Sequence, residues 1–464
     1  MNTPDVTYRT IWRWHFYAGL FSIPFILWLS VTGSIYLFRP QIEKWLDRPY
    51  DHLVIHRDRA TPADEVKAAL NAVPGTRFHY YELPRSDSSA VQIVIGRDTK
   101  EFRVYVHPET LQILKVVDED KRPMNVLFYL HGELLMGSRG SNIVELAASW
   151  AIVLLITGVY LWWPRQSERL AGVLYVRFRR GSRIFWRDLH AVTGVWISAY
   201  ALFILLTGLL WANFWGGYLL KVRTFAASHL IHQDWGTGKS SEIAQREARD
   251  ANSMEVMQMA PALKNSVAQD GEYTPLNKLV PGSLRFHLDP PVYVAPPDQV
   301  GGPWTVRSDT QNRPHRVTLS LDPVTGAVVK QEPFSQLPLL DQIVNTGVAM
   351  HEGQFFGLTN QLLGLATAMG LVTLSLSAIV LWWRRRQVGI LGAPVPLGKP
   401  RWSFGLVAII VALAIYLPTL AISLSAVILL EKFLFSRIPS VSRWLGLSPA
   451  SGPLRDQCAG SHPP

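Results

Sequence analysis

The sequence predicts an α-helical integral membrane protein: a duplicated four-helix bundle, a fifth transmembrane helix and two large outer α+β domains. Three observations carry this. Only 17% of the 464 residues are charged, against about 25% in an ordinary soluble chain. The apolar residues, 48% of the total, gather in five long blocks. Four of those blocks form two internal repeats without a gap. A single cysteine, Cys458, excludes an intramolecular disulfide, a Cys-rich zinc or iron–sulfur site and a covalently attached c-type haem.

A bilayer core about 30 Å thick takes roughly 20 apolar residues as a helix. Residues 1–39 hold the N-terminus and the first block, Trp14 to Phe38. It is too long for a signal-peptide core and leaves through Phe38-Arg39-Pro40 rather than small residues, so it is expected to stay as an anchor. Residues 40–130 form the first outer domain. There Thr61 caps a short helix with Pro62 at its first position, and alternating strands follow at Arg77–Glu82 and Ala90–Ile95. Val104-Tyr105-Val106-His107-Pro108-Glu109-Thr110 then reads as strand, tight turn, strand. Residues 131–164 carry the second block, Ile143 to Trp163. After a basic loop at 165–187, residues 188–215 hold the third block, Leu189 to Trp215.

Residues 216–350 form the second outer domain, with a polar insertion at 236–272 and a second strand–turn–strand over Leu319-Ser320-Leu321-Asp322-Pro323-Val324-Thr325-Gly326. The fourth block, Leu358 to Trp383, lies in 351–383, and a basic loop fills 384–402. A fifth helix is expected over 403–430, before a Pro-rich tail at 431–464.

Orientation follows from Lys and Arg in the short loops. Arg165, Arg169, Arg177, Arg179, Arg180, Arg183 and Arg187 separate blocks two and three, opposed within 165–187 only by Glu168. Arg384, Arg385, Arg386, Lys399 and Arg401 separate blocks four and five, and Arg9 and Arg13 precede block one. These regions, and the N-terminus, are expected in the cytoplasm, with the long loops and the C-terminus on the outer side. The net charge of +10 therefore reads as topology and not as a nucleic-acid footprint. Trp162-Trp163 and Trp382-Trp383 sit beside the basic loops as interfacial aromatics.

Moved by 175 positions, block one overlies block three: His15 falls on His190, Gly19 on Gly194, and Thr32-Gly33 on Thr207-Gly208. Moved by 220 positions, block two overlies block four: His131 falls on His351, Gly137 on Gly357, and Leu161-Trp162-Trp163 on Leu381-Trp382-Trp383. Each half thus carries one histidine near each end of a helix pair. Facing helices that each present an imidazole are the usual protein contribution to a six-coordinate haem b. Pairing by depth couples His15 with His190 and His131 with His351 as axial ligands of two haems. Gly19 and Gly194, one turn on, would clear room for a macrocycle. The Thr-Gly pairs, about 27 Å along each helix, would clear room for a second. A lone histidine at a helix end is more often an interfacial polar group, but four at equivalent positions of a duplicated bundle point to function. Zinc or copper would gather three or four ligands at one point.

Other features are weaker. His229 and His232 read as a surface pair rather than a metal or substrate site. Gly236-Thr237-Gly238-Lys239-Ser240 lacks the leading glycine of a phosphate loop, Gln233 standing there. Glu145 reads as a helix-end polar group, and His52, His56, His79, His107, His287 and His315 as solvent-facing. No dinucleotide or flavin fingerprint is visible, so the electron donor lies elsewhere.

Trp14-His15-Phe16-Tyr17-Ala18-Gly19-Leu20, the stretch Leu130-His131-Gly132-Glu133-Leu134-Leu135-Met136-Gly137, the Leu-Trp-Trp helix ends and the Asp322–Gly326 turn resemble the PepSY-associated transmembrane family over about residues 10–385. That family includes inner-membrane ferric-siderophore reductases such as the ferrioxamine reductase. The resemblance implies two haems b held by His15, His131, His190 and His351, with PepSY domains in the periplasm. The chain departs from the pattern at His107 and Leu111, where Asp and Gly are expected, and in its fifth block and tail.

The expected function is a di-haem reductase that takes electrons from a cytoplasmic reductase or quinone to a periplasmic acceptor, best a ferric siderophore or other ferric chelate. The alternative is a non-enzymatic, membrane-anchored PepSY regulator or assembly factor, which has no need of matched histidines. A transporter fits poorly, because the halves are not inverted and no broken helices occur at matched positions.

Overall fold

A computed structural model describes residues 6–164, 170–226, 243, 273–297, 301–394, 396–398 and 402–447. His229, His232, the Gly236–Ser240 motif, all but one residue of the 236–272 insertion, several of the loop arginines and the tail beyond Leu447 lie outside them. Five helices among the described residues are long and apolar enough to cross a membrane. The chain divides into two compact units, one of residues 1–31, 142–209 and 366–464, the other of residues 32–141 and 210–365.

The long helices are α1 (Val6–Tyr36), α5 (Ser138–Trp162), α6 (Ser182–Gly208) and α10 (Leu358–Arg385), as the hydropathy requires. Within the first unit α1 meets α5, and α6 meets α10, at repeat-related positions. A Cβ on Gly19 would touch Leu154 at 3.7 Å, and one on Gly194 would touch Leu374 at 3.4 Å. Both glycines therefore lie against a leucine of the neighbouring helix. The indole N–H of Trp162 donates to the Val173 carbonyl at 3.0 Å, and that of Trp382 to Leu391 at 2.8 Å. Each Leu-Trp-Trp end thus ties down the basic loop that follows it.

The fifth block does not form one helix. It breaks into α11 (Phe404–Tyr416) and α12 (Pro418–Phe433), followed by α13 (Pro439–Leu445). Pro418 has no N–H to continue α11 and restricts Leu417 before it. Both ends of this segment are tied to the same end of α1. Trp402 packs on Trp14 with ring centres 6.0 Å apart. Arg13 donates to the Gly446 carbonyl at 3.0 Å, and the Tyr17 hydroxyl donates to Leu445. Between those anchors, Thr419 at the bend bonds Ser149 at 3.1 Å, and Trp150 donates to Ser423 at 3.2 Å. Ser149 lies 13 residues from Trp162, about 20 Å down α5. Residues 403–446 therefore form a hairpin: both ends lie beside the start of α1 and the bend lies beside the middle of α5. Expected as one helix over 403–430, the segment is two, and its second part, Pro418–Arg437, is among the stretches long and apolar enough to cross a membrane; Gly446 lies beside Arg13.

The second unit holds the sheet. Its elements are α2 (Arg39–Asp47), α3 (Pro62–Ala72), β1 (Arg77–Glu82), β2 (Val91–Arg97), β3 (Lys100–Val106), β4 (Ile113–Asp118), α4 (Pro123–Glu133), α7 (Asn213–Ala226), α8 (Leu276–Leu284), β5 (Val292–Ala295), β6 (Trp304–Ser308), β7 (Val317–Leu321), β8 (Val328–Pro333) and α9 (Leu339–His351). Thr61 caps α3 by accepting from the Asp64 N–H, with Pro62 at the first position. The strands do not make two domains. They form one antiparallel sheet in the order β4-β3-β2-β1-β5-β6-β7-β8. The two loops join where Tyr81 pairs with Val294 and Glu82 with Tyr293. One core serves both: Val66, Ala69, Ile93, Val104, Leu276, Leu279, Val294, Trp304, Val306 and Leu319 belong to a single buried cluster. Four short strands and one helix cannot cover their own apolar face, so each loop completes the other.

The two turns predicted from the Pro-containing motifs share one geometry despite their different residues. Asp322 Oδ1 accepts from the N–H groups of Val324 at 3.0 Å and Thr325 at 2.6 Å, and Gly326 takes φ +70°. In the first copy His107 Nδ1 accepts from Glu109 at 3.2 Å and Thr110 at 3.3 Å, while Leu111 takes φ +59°. An imidazole lone pair replaces the carboxylate, and a leucine bears the left-handed backbone.

His79 corrects another expectation, because it is not solvent-facing. Its side chain is 6% exposed and its Nδ1 meets Glu101 at 2.7 Å, from β1 to β3 across β2. Gly96 on β2 permits this, since a Cβ there would stand 2.2 Å from the imidazole.

Candidate functional site

In the first unit, α1 carries His15 nine residues from its start, and α6 carries His190 eight residues from its start. Both imidazoles lie on the inward faces of apolar helices, and the structure brings them together. Their ring centres are 6.4 Å apart and their planes are 86° apart. A haem iron takes two neutral imidazole nitrogens, one from each of two facing helices, and His15 and His190 would supply them. The donor set therefore fits a bis-imidazole haem iron.

Each ring is held from behind through Nδ1. His15 Nδ1 stands 2.9 Å from Thr157 Oγ1 on α5. His190 Nδ1 stands 3.1 Å from Ser377 Oγ on α10 and 3.1 Å from the Leu374 carbonyl. Thr157 and Ser377 are 220 positions apart, so the repeat that relates His131 to His351 also relates these two hydroxyls. Gly158 leaves the space that the His15 ring uses, a Cβ there lying 3.3 Å from His15 Cε1.

The second unit holds His131 and His351. His131 is on α4, a helix that ends before the span and turns into α5 through left-handed Leu134, Leu135 and Gly137. Its Nδ1 lies 2.8 Å from Thr32 Oγ1 on α1, and a Cβ on Gly33 would lie 3.1 Å from its Cε1. Thr32-Gly33 thus orients a histidine, with the hydroxyl as partner and the glycine as clearance for the ring. Burial pushes the His131 imidazole down to about 4, so it is neutral, as a metal ligand must be. His351 closes α9 with its ring 5.5 Å from that of Trp211. Among the described residues no group of three or more His, Cys, Asp or Glu gathers into a metal cluster.

A buried ionic network fixes α4 and α9 to the sheet. Arg103 on β3 donates to Glu82, Glu119 and Gln92. Arg122 pairs with Glu119 at 3.4 Å and Glu43 at 3.6 Å, and Arg39 pairs with Glu43 at 3.1 Å. Burial would raise the Glu119 carboxyl, but Arg103 and Arg122 outweigh it and hold it at about 2. Asn125 of α4 donates to the Glu119 carbonyl at 2.8 Å, and Arg313 donates to Asn345 of α9 at 3.0 Å. Glu352, next to His351, has its carboxyl pushed up by burial against the pull of Arg313 and Arg39.

Sequence reading named all four histidines as candidates but not Thr157, Ser377 or the ionic network. The hydroxyls carried a signal, since they match at 220 positions, but Ser and Thr are common in apolar helices. The network joins residues far apart in the chain and left no local pattern.

A search of curated proteins finds no match to the chain. A family model described as the PepSY-associated TM region matches residues 12–385. That span contains all four histidines, the whole sheet and the four long helices except the first six residues of α1, and over it the chain belongs to the PepSY-associated transmembrane family.

Proposed function

We propose that this protein is a bacterial inner-membrane reductase that holds two haems b and passes electrons to a periplasmic acceptor, best a ferric siderophore or other ferric chelate. The observation that carries the reading is the His15–His190 pair: two imidazoles with ring centres 6.4 Å apart inside an apolar bundle, each braced through Nδ1. His15 and His190 would hold one haem, and His131 and His351 the other. When bound, the haems would supply one-electron transfer.

The chain's own residues orient the imidazoles and keep them neutral, and the apolar helix faces exclude water. The donor would be a cytoplasmic reductase or a quinone. Ferric chelate suits the acceptor because reduction to Fe²⁺ weakens binding by hard oxygen ligands.

A dithionite-minus-air spectrum of detergent-purified protein, with haem extracted and counted, tests this. Two equivalents of haem b are expected in the wild type and one in His131→Ala, which should also lose ferric-chelate reduction. A colourless protein from haem-replete cells overturns the reading and leaves the membrane-anchored regulator as the alternative.

A further inference from the structure

The two hydroxyls behind the His15–His190 pair each face a backbone carbonyl as well as a histidine nitrogen. A hydroxyl has one proton to donate. Thr157 Oγ1 places its proton on the Val153 carbonyl at 2.7 Å, one turn back in α5. Ser377 Oγ places its own on the Leu374 carbonyl at 3.0 Å. Each oxygen is thereby left as an acceptor toward the histidine, and the Leu374 carbonyl, also 3.1 Å from His190 Nδ1, can only accept. With the hydroxyl protons on these carbonyls, the imidazole proton resides on Nδ1 and Nε2 presents its lone pair.

We infer that Thr157 and Ser377 are positioning residues that lock His15 and His190 as Nδ1–H tautomers and thereby set the reduction potential of the group the two histidines hold. Hydroxyl back-bonding to a carbonyl one turn earlier is ordinary in membrane helices and would by itself be structural. Two features go beyond that. The same device occurs in both halves of the duplication, and in both the oxygen meets a histidine nitrogen. An acceptor on Nδ1–H makes the ligand more basic, favours ferric over ferrous iron and orients the ring. The inference rests on the proposed haem function for its redox part and on the protein alone for its tautomer part.

Thr157→Val keeps the shape and removes the oxygen, and Thr157→Ser restores it. In the wild-type holoprotein, redox titration of each haem gives the reference. Thr157→Val should raise the potential of one haem and leave the other unchanged; a tenfold weakening of ferric relative to ferrous ligation corresponds to about 59 mV. Thr157→Ser should return the potential to the wild-type value. Ser377→Ala should shift it less, because the Leu374 carbonyl still faces His190. Loss of one haem in Thr157→Val but not in Thr157→Ser supports the same role.

Two wild-type potentials in Thr157→Val at full haem content overturn the inference while leaving the haem reading intact. Equal damage by Val and Ser also overturns it, because the hydroxyl would then not be the cause. Histidine ¹⁵N spectra of haem-free protein test the tautomer separately. His15 should be protonated at Nδ1 in the wild type and a mixture in Thr157→Val; identical spectra refute the lock whether or not haem binds.

Discussion

Glu65 makes the stability of the sheet depend on pH in a direction opposite to that of most carboxylates. It lies on α3, 1% exposed, against the apolar core that both outer loops share. The Tyr81 hydroxyl donates to its Oε2 at 2.7 Å, and Oε1 has no hydrogen-bond partner among the described residues. Burial raises its pKa from 4.5 to about 7, more than the Tyr81 bond and Arg59 lower it. The folded state therefore holds the proton more tightly than the unfolded state. Stability from this group is fully present below about pH 4.5, falls as pH rises, and levels off above about pH 7 at a cost of about 3 kcal/mol.

Glu65→Gln removes the titration and keeps the shape and an acceptor for Tyr81. Hydrogen exchange on the full chain in detergent, read at Ile93 and Val94 of β2 and corrected for intrinsic rates, reports opening of this core. Between pH 5 and pH 8 the wild type should lose about 50-fold more protection than Glu65→Gln. Parallel pH profiles for the two proteins would show that Glu65 is ionised without penalty and refute the argument.

Three other expectations follow from the corrected fold. Gly96→Ala drives a Cβ into the His79 ring and breaks its bond to buried Glu101, costing on the order of 1–3 kcal/mol; exchange in β2 and β3 should rise, and should rise little further when His79→Ala is added. Leu111→Gly relieves the left-handed backbone at φ +59° and should stabilise the β3–β4 hairpin by about 0.5–1 kcal/mol, seen as slower exchange from Val104 to Val117. With Cys458 replaced by Ser, Leu447→Cys and Val388→Cys should react with an impermeant maleimide from the same membrane face; labelling from opposite faces would rule out the hairpin.

Much of the site was legible because it is written locally. A helix that crosses a bilayer must be about 20 apolar residues long, so α1, α5, α6 and α10 followed from hydropathy. The duplication then exposed His15, His131, His190 and His351 as a set. The Thr61-Pro62 cap and the β1 limits were equally local, resting on a side-chain acceptor and on period-two alternation. The Thr-Gly pairs were also visible in the repeat. Only the fold shows that Thr32 meets the His131 imidazole and Gly33 makes room for it.

The sequence by itself determined which segments are apolar, that the chain is built twice, and where the histidines stand. Tertiary structure decided what those elements do to one another. Hydropathy has no direction, so the 403–430 block could not reveal that its chain turns at Pro418 and returns to Arg13. Strand pairing depends on partners about 200 residues apart, so nothing before β5 could announce that Tyr81 pairs with Val294 and makes one sheet of two loops. The role of a hydroxyl in an apolar helix depends on which atom meets it. Thr157 and Ser377 became informative only once the fold set each against a histidine nitrogen.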